Sequence, residues 1–408
     1  MSFIEIIFSL PVLVIGLAVL GLISARSRAQ NSAGGDIRTL AALPSAHGTN
    51  AFLSVLIPAA ASFVVLSFVR LIAHQNGGEI LSYRSVYWVV LAIAAIGCLG
   101  AVLRSSAGFR ARQASEAWIK LLLVAASTVA ILTTAGIVLS MVFEAAHFFQ
   151  QYSWKDFFFS TKWSPNFRGN SELGILPLLW GTLYVSFISL LLAVPVGLFA
   201  AIYLSEYAGP RMRSVAKPLI EVLAGIPTIV YGLFALITIG PLLRDYFAQP
   251  LGLGDSAASV MTAGLVMGIM LIPFVSSLSD DVINAVPQAM RDGSYALGAT
   301  RSETIRQVVV PAALPGIVGA VLLAASRAIG ETMIVVLGAG AAARLSLNPF
   351  EAMTTVTVKI VSQLTGDTDF ASLETLVAFA LGLTLFTLTL GLNVVALMVV
   401  RKYREQYE

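Results

Sequence analysis

Two charges stand where charges are scarce. Arg327 and Glu331 fall within an apolar run near 314–340, four positions apart, which on a continuous helix sets them on one face. An Arg or carboxylate near the centre of a bilayer costs about 2.5–3.5 kcal/mol on insertion scales, so such groups are rare there and usually functional. Two readings stay open. The residues form a structural ion pair, or Arg327 faces a central pathway and offers an oxyanion parallel N–H donors in a fork. In the second reading Glu331 holds Arg327 in place and weakens its grip, so that the anion is released.

A second group lies in the polar stretch 280–313, which carries Asp280, Asp281, Pro287, Arg291, Asp292, Gly293, Ser294, Gly298, Arg301, Glu303, Arg306, Val308, Val310 and Pro311. The pattern predicts two short amphipathic helices hinged at Gly298, with Pro287 opening the first and Pro311 stopping the second. Such a surface knob suits a partner's groove, and an ordinary polar loop is the alternative. Other chemistries have little support. His47, His74 and His147 are far apart, and Cys98 lies alone in an apolar run, so no metal site is expected. No lysine follows a glycine, so the chain has no Gly-x-x-x-x-Gly-Lys-Ser/Thr phosphate cradle and cannot hydrolyse ATP by that route.

The elements that must hold these residues are set by composition. Of 408 residues, 57% are hydrophobic and 12% charged, with mean hydropathy +0.86. Soluble domains run roughly 45–50% apolar and about 25% charged, so this chain could not cover a wetted surface. The fold class is an all-α polytopic membrane protein of about nine transmembrane helices, surrounded by lipid. A bilayer core of about 30 Å takes roughly 20 apolar residues as helix. Such runs lie near 3–24, 52–73, 86–103, 118–143, 176–204, 218–241, 257–279, 314–340 and 375–400. They are helices because backbone groups in lipid must be satisfied within the segment. The first run lacks a basic leading region and reads as a retained anchor.

Placing the N-terminus outside puts twice as many Lys and Arg on inner as on outer segments, which sets the C-terminus inside. The net charge of +3 is too small and too scattered to suggest nucleic acid. Residues 25–50, with Gly34, Gly35 and Pro44, look like a flexible inner linker. Residues 144–175 form an outer loop whose Trp154, Phe157, Phe158, Phe159 and Trp163 sit at the interface or pack an outer cap. Gly225 beside Pro227 marks a helix bend near the pathway, a plain packing kink being the alternative.

The stretch 280–313 resembles the cytoplasmic signature of permease subunits of ATP-binding-cassette importers: Glu-Ala-Ala, three residues, Gly, nine residues, then Ile-x-Leu-Pro. Asp292-Gly293-Ser294 stands at the first triplet, Gly298 at the glycine, and Val308, Val310 and Pro311 at the close. Spacing matches throughout; the first triplet departs in identity. The strings Thr161–Pro165, Leu176-Pro177, Gly181–Leu183, Leu223–Gly232 and Arg327–Met333 look like the phosphate-specific importer permease family of PstC type. The resemblance covers roughly residues 118–408 and six of the nine spans. It implies a six-helix type I permease domain over 118–408 with a coupling loop at 285–311, where Asp292, Gly293, Ser294, Gly298, Val308, Val310 and Pro311 meet an ATPase. Residues 1–117, an extension with three spans and the polar linker, lie outside it.

The resemblance further implies import of inorganic phosphate across a bacterial inner membrane, with the N-terminus periplasmic. The implied partners are a second homologous permease of PstA type, a cytosolic ATPase dimer that binds the ATP, and a periplasmic phosphate-binding protein. The chain itself would be neither an enzyme nor a cofactor carrier. The alternatives are another oxyanion as cargo, sulfate or molybdate, or a secondary transporter driven by an ion gradient, a class that more often shows inverted repeats.

Overall fold

The computed structural model describes residues 3–34, 37–75, 82–166, 171–366 and 372–404, with side chains described from Ser9 to Lys402. Among the described residues the fold is helical apart from one two-stranded hairpin, and nine helices are long and apolar enough to cross a membrane. Two compact units divide the chain, residues 1–136 and 137–408.

In the first unit α1 (Phe3–Ser32), α2 (Pro44–Gln75) and α3 (Tyr83–Arg104) pack on one another. Their contact is built on Val14, Ala18, Val55, Ala59, Val90 and Ala94, and the alanines let the backbones approach closely. The expected inner linker is shorter than 25–50. Helix α1 runs on to Ser32 and α2 opens at Pro44, whose fixed φ and missing N–H suit a helix start. Ala41 N–H donates to the Ala107 carbonyl at 2.8 Å, tying what remains of the connection to the turn after α3. Gly35 lies outside the described residues.

Helix α4 (Ala111–Gln151) contains the fourth predicted run and is 41 residues long. The second unit continues with α5 (Trp154–Phe159) and the antiparallel pair β1 (Trp163–Ser164) and β2 (Glu172–Leu173). Phe157 is buried against Phe148 and Phe149, whereas Trp154 and Phe159 are exposed, so the aromatics divide between packing and exposure. Next come α6 (Leu176–Ile202), prolonged by a wide π turn to Tyr207, and α7 (Pro210–Gly225). Helices α8 (Thr228–Phe234) and α9 (Gly240–Leu243), joined by π turns, form one span to Ala248. Then follow α10 (Val260–Ala285), α11 (Gln288–Ala296), α12 (Arg301–Thr304), α13 (Val310–Ile329), α14 (Met333–Gly338), α15 (Val356–Gly366) and α16 (Leu373–Arg404).

The core of this unit is the α6–α10 contact, where a Cβ added at Gly264 would lie 2.6 Å from Ile188 Cγ2. Only glycine permits that approach.

Three expectations need correction. The sixth span does not begin at 218: the backbone leaves the helix at Ile226 and Pro227, so the expected bend is a full break and the span starts at Thr228. The eighth span does not run to 340, because α13 ends at Ile329 and a separate six-residue helix follows. Pro311 does not stop a helix either. A π turn over Ile305–Val309, closed by Val310 N–H to the Ile305 carbonyl, widens the coil just before the proline. That width leaves room for the ring, and helix runs on from Arg301 to Ile329.

Candidate functional site: a charged cavity and a docking turn

The α7–α10 contact comes from matching stripes. Arg213, Lys217, Glu221 and Ala224 recur at helical spacing along one face of α7, and Pro273, Ser277, Asp280 and Asn284 along one face of α10. Asp280 is buried and accepts both Arg213 Nη2 contacts, at 3.0 and 3.1 Å, as well as Lys217 Nζ at 2.9 Å and Asn284 Nδ2 at 2.9 Å. A carboxylate taken out of water needs such pairing. The hydrogen bond to Asp280, reinforced by its charge, raises the Lys217 pKa above the ordinary lysine value.

Beyond this latch lies a cavity of about 270 Å³ lined by Glu221, Ala224, Met270, Pro273, Phe274, Ser277, Leu278 and Arg327. A smaller recess shares Glu221, Pro273 and Ser277 with it and reaches Lys217 and Asp280. The Arg327 guanidinium lies over the Phe274 ring, 5.6 Å from its centroid. Arg327 is exposed at the surface of the isolated chain, not buried as its apolar surroundings suggested.

Arg327 and Glu331 are not a pair. The helix carrying Arg327 ends two residues later, so the four-residue spacing does not put Glu331 on its face. Glu331 instead turns to α14, where its Oε1 accepts the N–H groups of Thr332 at 3.1 Å, Met333 at 3.0 Å and Ile334 at 3.4 Å. It satisfies donors that a helix start leaves free. Its own carbonyl accepts from Thr357 Oγ1 at 2.8 Å, which pins the corner between α13 and α14 to the start of α15. Gly225 and Pro227 stand at the break between α7 and α8, closed by Tyr231 Oη donating to the Leu223 carbonyl at 2.8 Å. The acidic residue that shares the cavity with Arg327 is Glu221, which sequence reasoning did not single out; its signal was the α7 stripe.

The stretch 285–311 forms the predicted first helix, α11, after Pro287. Gly298 has φ +87°, the left-handed region glycine favours, and turns the chain into α12. Thr300 and Glu303 close a capping box, and Ser294 and Thr304 hydroxyls lie 2.9 Å apart across the turn. Asp292 is exposed and accepts from Gln288 Nε2 at 3.1 Å. Leu297 is 91% exposed at the tip of the turn, and Val309 is buried with Ile283, Val286 and Ala313. Behind α11, buried Arg291 contacts buried Glu206 at 2.9 Å and donates to the carbonyls of Ile283 and Val286. Neither this pair nor the Asp280 latch was expected from the sequence. Among the described residues no His, Cys, Asp and Glu group could hold a metal ion.

Comparison with known proteins places this architecture. Residues 193–405 match the model of the binding-protein-dependent transport system inner membrane component family, and residues 11–76 match one described as a phosphate ATP-binding cassette transporter family. The phosphate transport system permease protein PstC of Xylella fastidiosa is 32% identical over 312 residues, covering 72% of this chain and 93% of that protein. A probable ABC transporter permease, YqgH of Bacillus subtilis, is 35% identical over 234 residues, 57% of this chain and 74% of that one. A solved bacterial ABC transporter involved in importing the acidic polysaccharide alginate aligns with TM-score 0.48 and 16% identity, over 70% of this chain and 99% of that one. The chain belongs to the family of binding-protein-dependent transport system inner membrane components.

Proposed function

We propose that the chain is the membrane permease subunit of an ATP-driven importer of inorganic phosphate. The carrying observation is the cavity between α7, α10 and α13, which presents a guanidinium, Arg327, and a carboxylate, Glu221, with Ser277 of α10 also in its lining. Inorganic phosphate near neutral pH is an oxyanion that keeps at least one O–H. Arg327 donates to its oxygens, and Glu221, an acceptor only, takes a hydrogen bond from that O–H. Sulfate and molybdate have no proton to give, so Glu221 repels them. The phosphate permeases among the relatives support the same cargo. Membership of a binding-protein-dependent family sets the ion-gradient carrier aside.

In this reading the chain catalyses nothing and holds no cofactor. A second homologous permease of PstA type completes the pathway, and an external phosphate-binding protein delivers the anion. ATP bound by a cytosolic ATPase dimer does the work, through a groove that receives Leu297 and the Gly298 turn. Asp292, Gly293 and Ser294 lie on the α11 side of that contact, with Val308, Val310 and Pro311 behind it. The N-terminus is periplasmic and the C-terminus cytoplasmic.

The test is uptake of radiolabelled phosphate by vesicles containing the assembled complex, with sulfate as competitor. Wild type is expected to take up phosphate without inhibition by sulfate, and Glu221→Gln to become inhibitable. Sulfate uptake by wild type in preference to phosphate would sink the proposal.

A further inference from the structure

The first unit carries a groove that the transport reading does not use. Leu10, Val14, Leu56, Ala60, Phe63 and Val90 bound a cavity of about 270 Å³ between α1, α2 and α3, and no polar side chain lines it. Ala59 and Ala60 leave the room beside Phe63. At one end the groove meets a smaller recess that shares Leu10 and Phe63 and adds Ser67, Arg70, Tyr83 and Tyr87. The Arg70 guanidinium stacks on the Tyr83 ring, which fixes its position. Among the described residues no ion pair engages Arg70.

A trough without polar groups, closed at one end by a cation and hydroxyls, matches a ligand of the same asymmetry. A free anion gains nothing from the trough, and a bare hydrocarbon gains nothing from Arg70. We propose that this unit binds one anionic phospholipid, an acyl chain lying in the groove and the headgroup phosphate on Arg70. The inference requires only that the unit lies in a bilayer, and it is independent of the cargo of the second unit. Leu10 and Arg70 share one end of the helix bundle, which sets the headgroup at that membrane face.

The experiment uses the purified full-length chain in detergent, titrated with dioleoylphosphatidylglycerol, with dioleoylphosphatidylcholine and with inorganic phosphate, and read by native mass spectrometry. One phosphatidylglycerol is expected to stay bound about fivefold more tightly than phosphatidylcholine, the gain of one cation near an anionic headgroup. Inorganic phosphate should not displace it. Arg70→Gln should erase the difference between the lipids, and Ala60→Trp, at the exposed rim, should weaken both. Three outcomes would overturn the proposal: equal retention by wild type and both variants, displacement by inorganic phosphate, or a changed oligomeric state in Ala60→Trp with lipid retention intact. The last would make the groove a protein contact.

Discussion

In the proposed reading Arg327 and Glu221 divide the work at the cavity they both line, so their substitutions should fail differently. Arg327→Gln removes charge-assisted hydrogen bonds worth about 1.5–3 kcal/mol and should lower phosphate uptake per assembled complex roughly tenfold or more. Arg327→Lys keeps the charge and loses the fork, and should stay impaired. Unaltered uptake in Arg327→Gln would remove this residue from the pathway. Glu331 belongs to a different problem. Its carboxylate caps α14, so Glu331→Ala should cost about 1 kcal/mol of stability, read as a lower melting temperature of the complex. A variant that kept full stability and lost transport would return Glu331 to the pathway.

The elements show what the sequence revealed and what it hid. Nine apolar stretches were countable, because lipid demands about 20 apolar residues per crossing whatever the packing. The breaks were harder to see. Near 225–227 the Gly-Ile-Pro string marked a bend, yet hydropathy could not tell a bend from an end. Near 330–332 nothing apolar is interrupted except by Glu331 and Thr332, and a capping carboxylate reads in sequence as a buried charge. Arg327 was legible because a charge stands out against apolar neighbours. Glu221 was not, because it sits on the amphipathic α7 and meets Arg327 only through tertiary packing. The same holds for Asp280 and its partners, 63 and 67 residues away.

The latch makes its own prediction. Asp280→Asn should free α7 while leaving the spans inserted, raising thiol labelling of a cysteine placed at Ser276, which is buried on α10 beside the latch and which wild type should protect. Because the folded-state pKa of Lys217 is raised, its contribution is complete below the ordinary lysine pKa of about 10.4. It fades only as pH climbs through the folded value, so labelling, taken relative to an exposed reference cysteine at the same pH, should not change between neutral pH and pH ~9. The Arg291–Glu206 pair behind α11 is buried on both sides. Removing one partner alone, as in Arg291→Met, should cost about 3–5 kcal/mol, and adding Glu206→Gln should return much of it.

At the scale of the whole molecule the candidate sites fall in separate units: residues 137–408 hold the charged cavity and the Gly298 turn, and residues 1–136 hold the apolar groove. Reporter fusions at Ser45 and Pro210 should score cytoplasmic, and fusions at Asn166 and Gly254 external, given the inner excess of Lys and Arg. An external score at Pro210 would place the Gly298 turn beyond the reach of a cytosolic ATPase. Leu297→Ser, at the tip of that turn, should lower ATPase stimulation by the binding protein without changing assembly.

The helix that ignores Pro311 joins the Gly298 turn to the cavity. Its 29 residues from Arg301 to Ile329 make a rod about 43 Å long at 1.5 Å rise per residue, with the turn at one end and Arg327 near the other. Tilting that rod by about 5° about its midpoint carries each end roughly 2 Å, in opposite directions. Under the proposed coupling, a push on the tip becomes a pull on the guanidinium. The π turn at 305–309 and Pro315 are the irregular points along that rod.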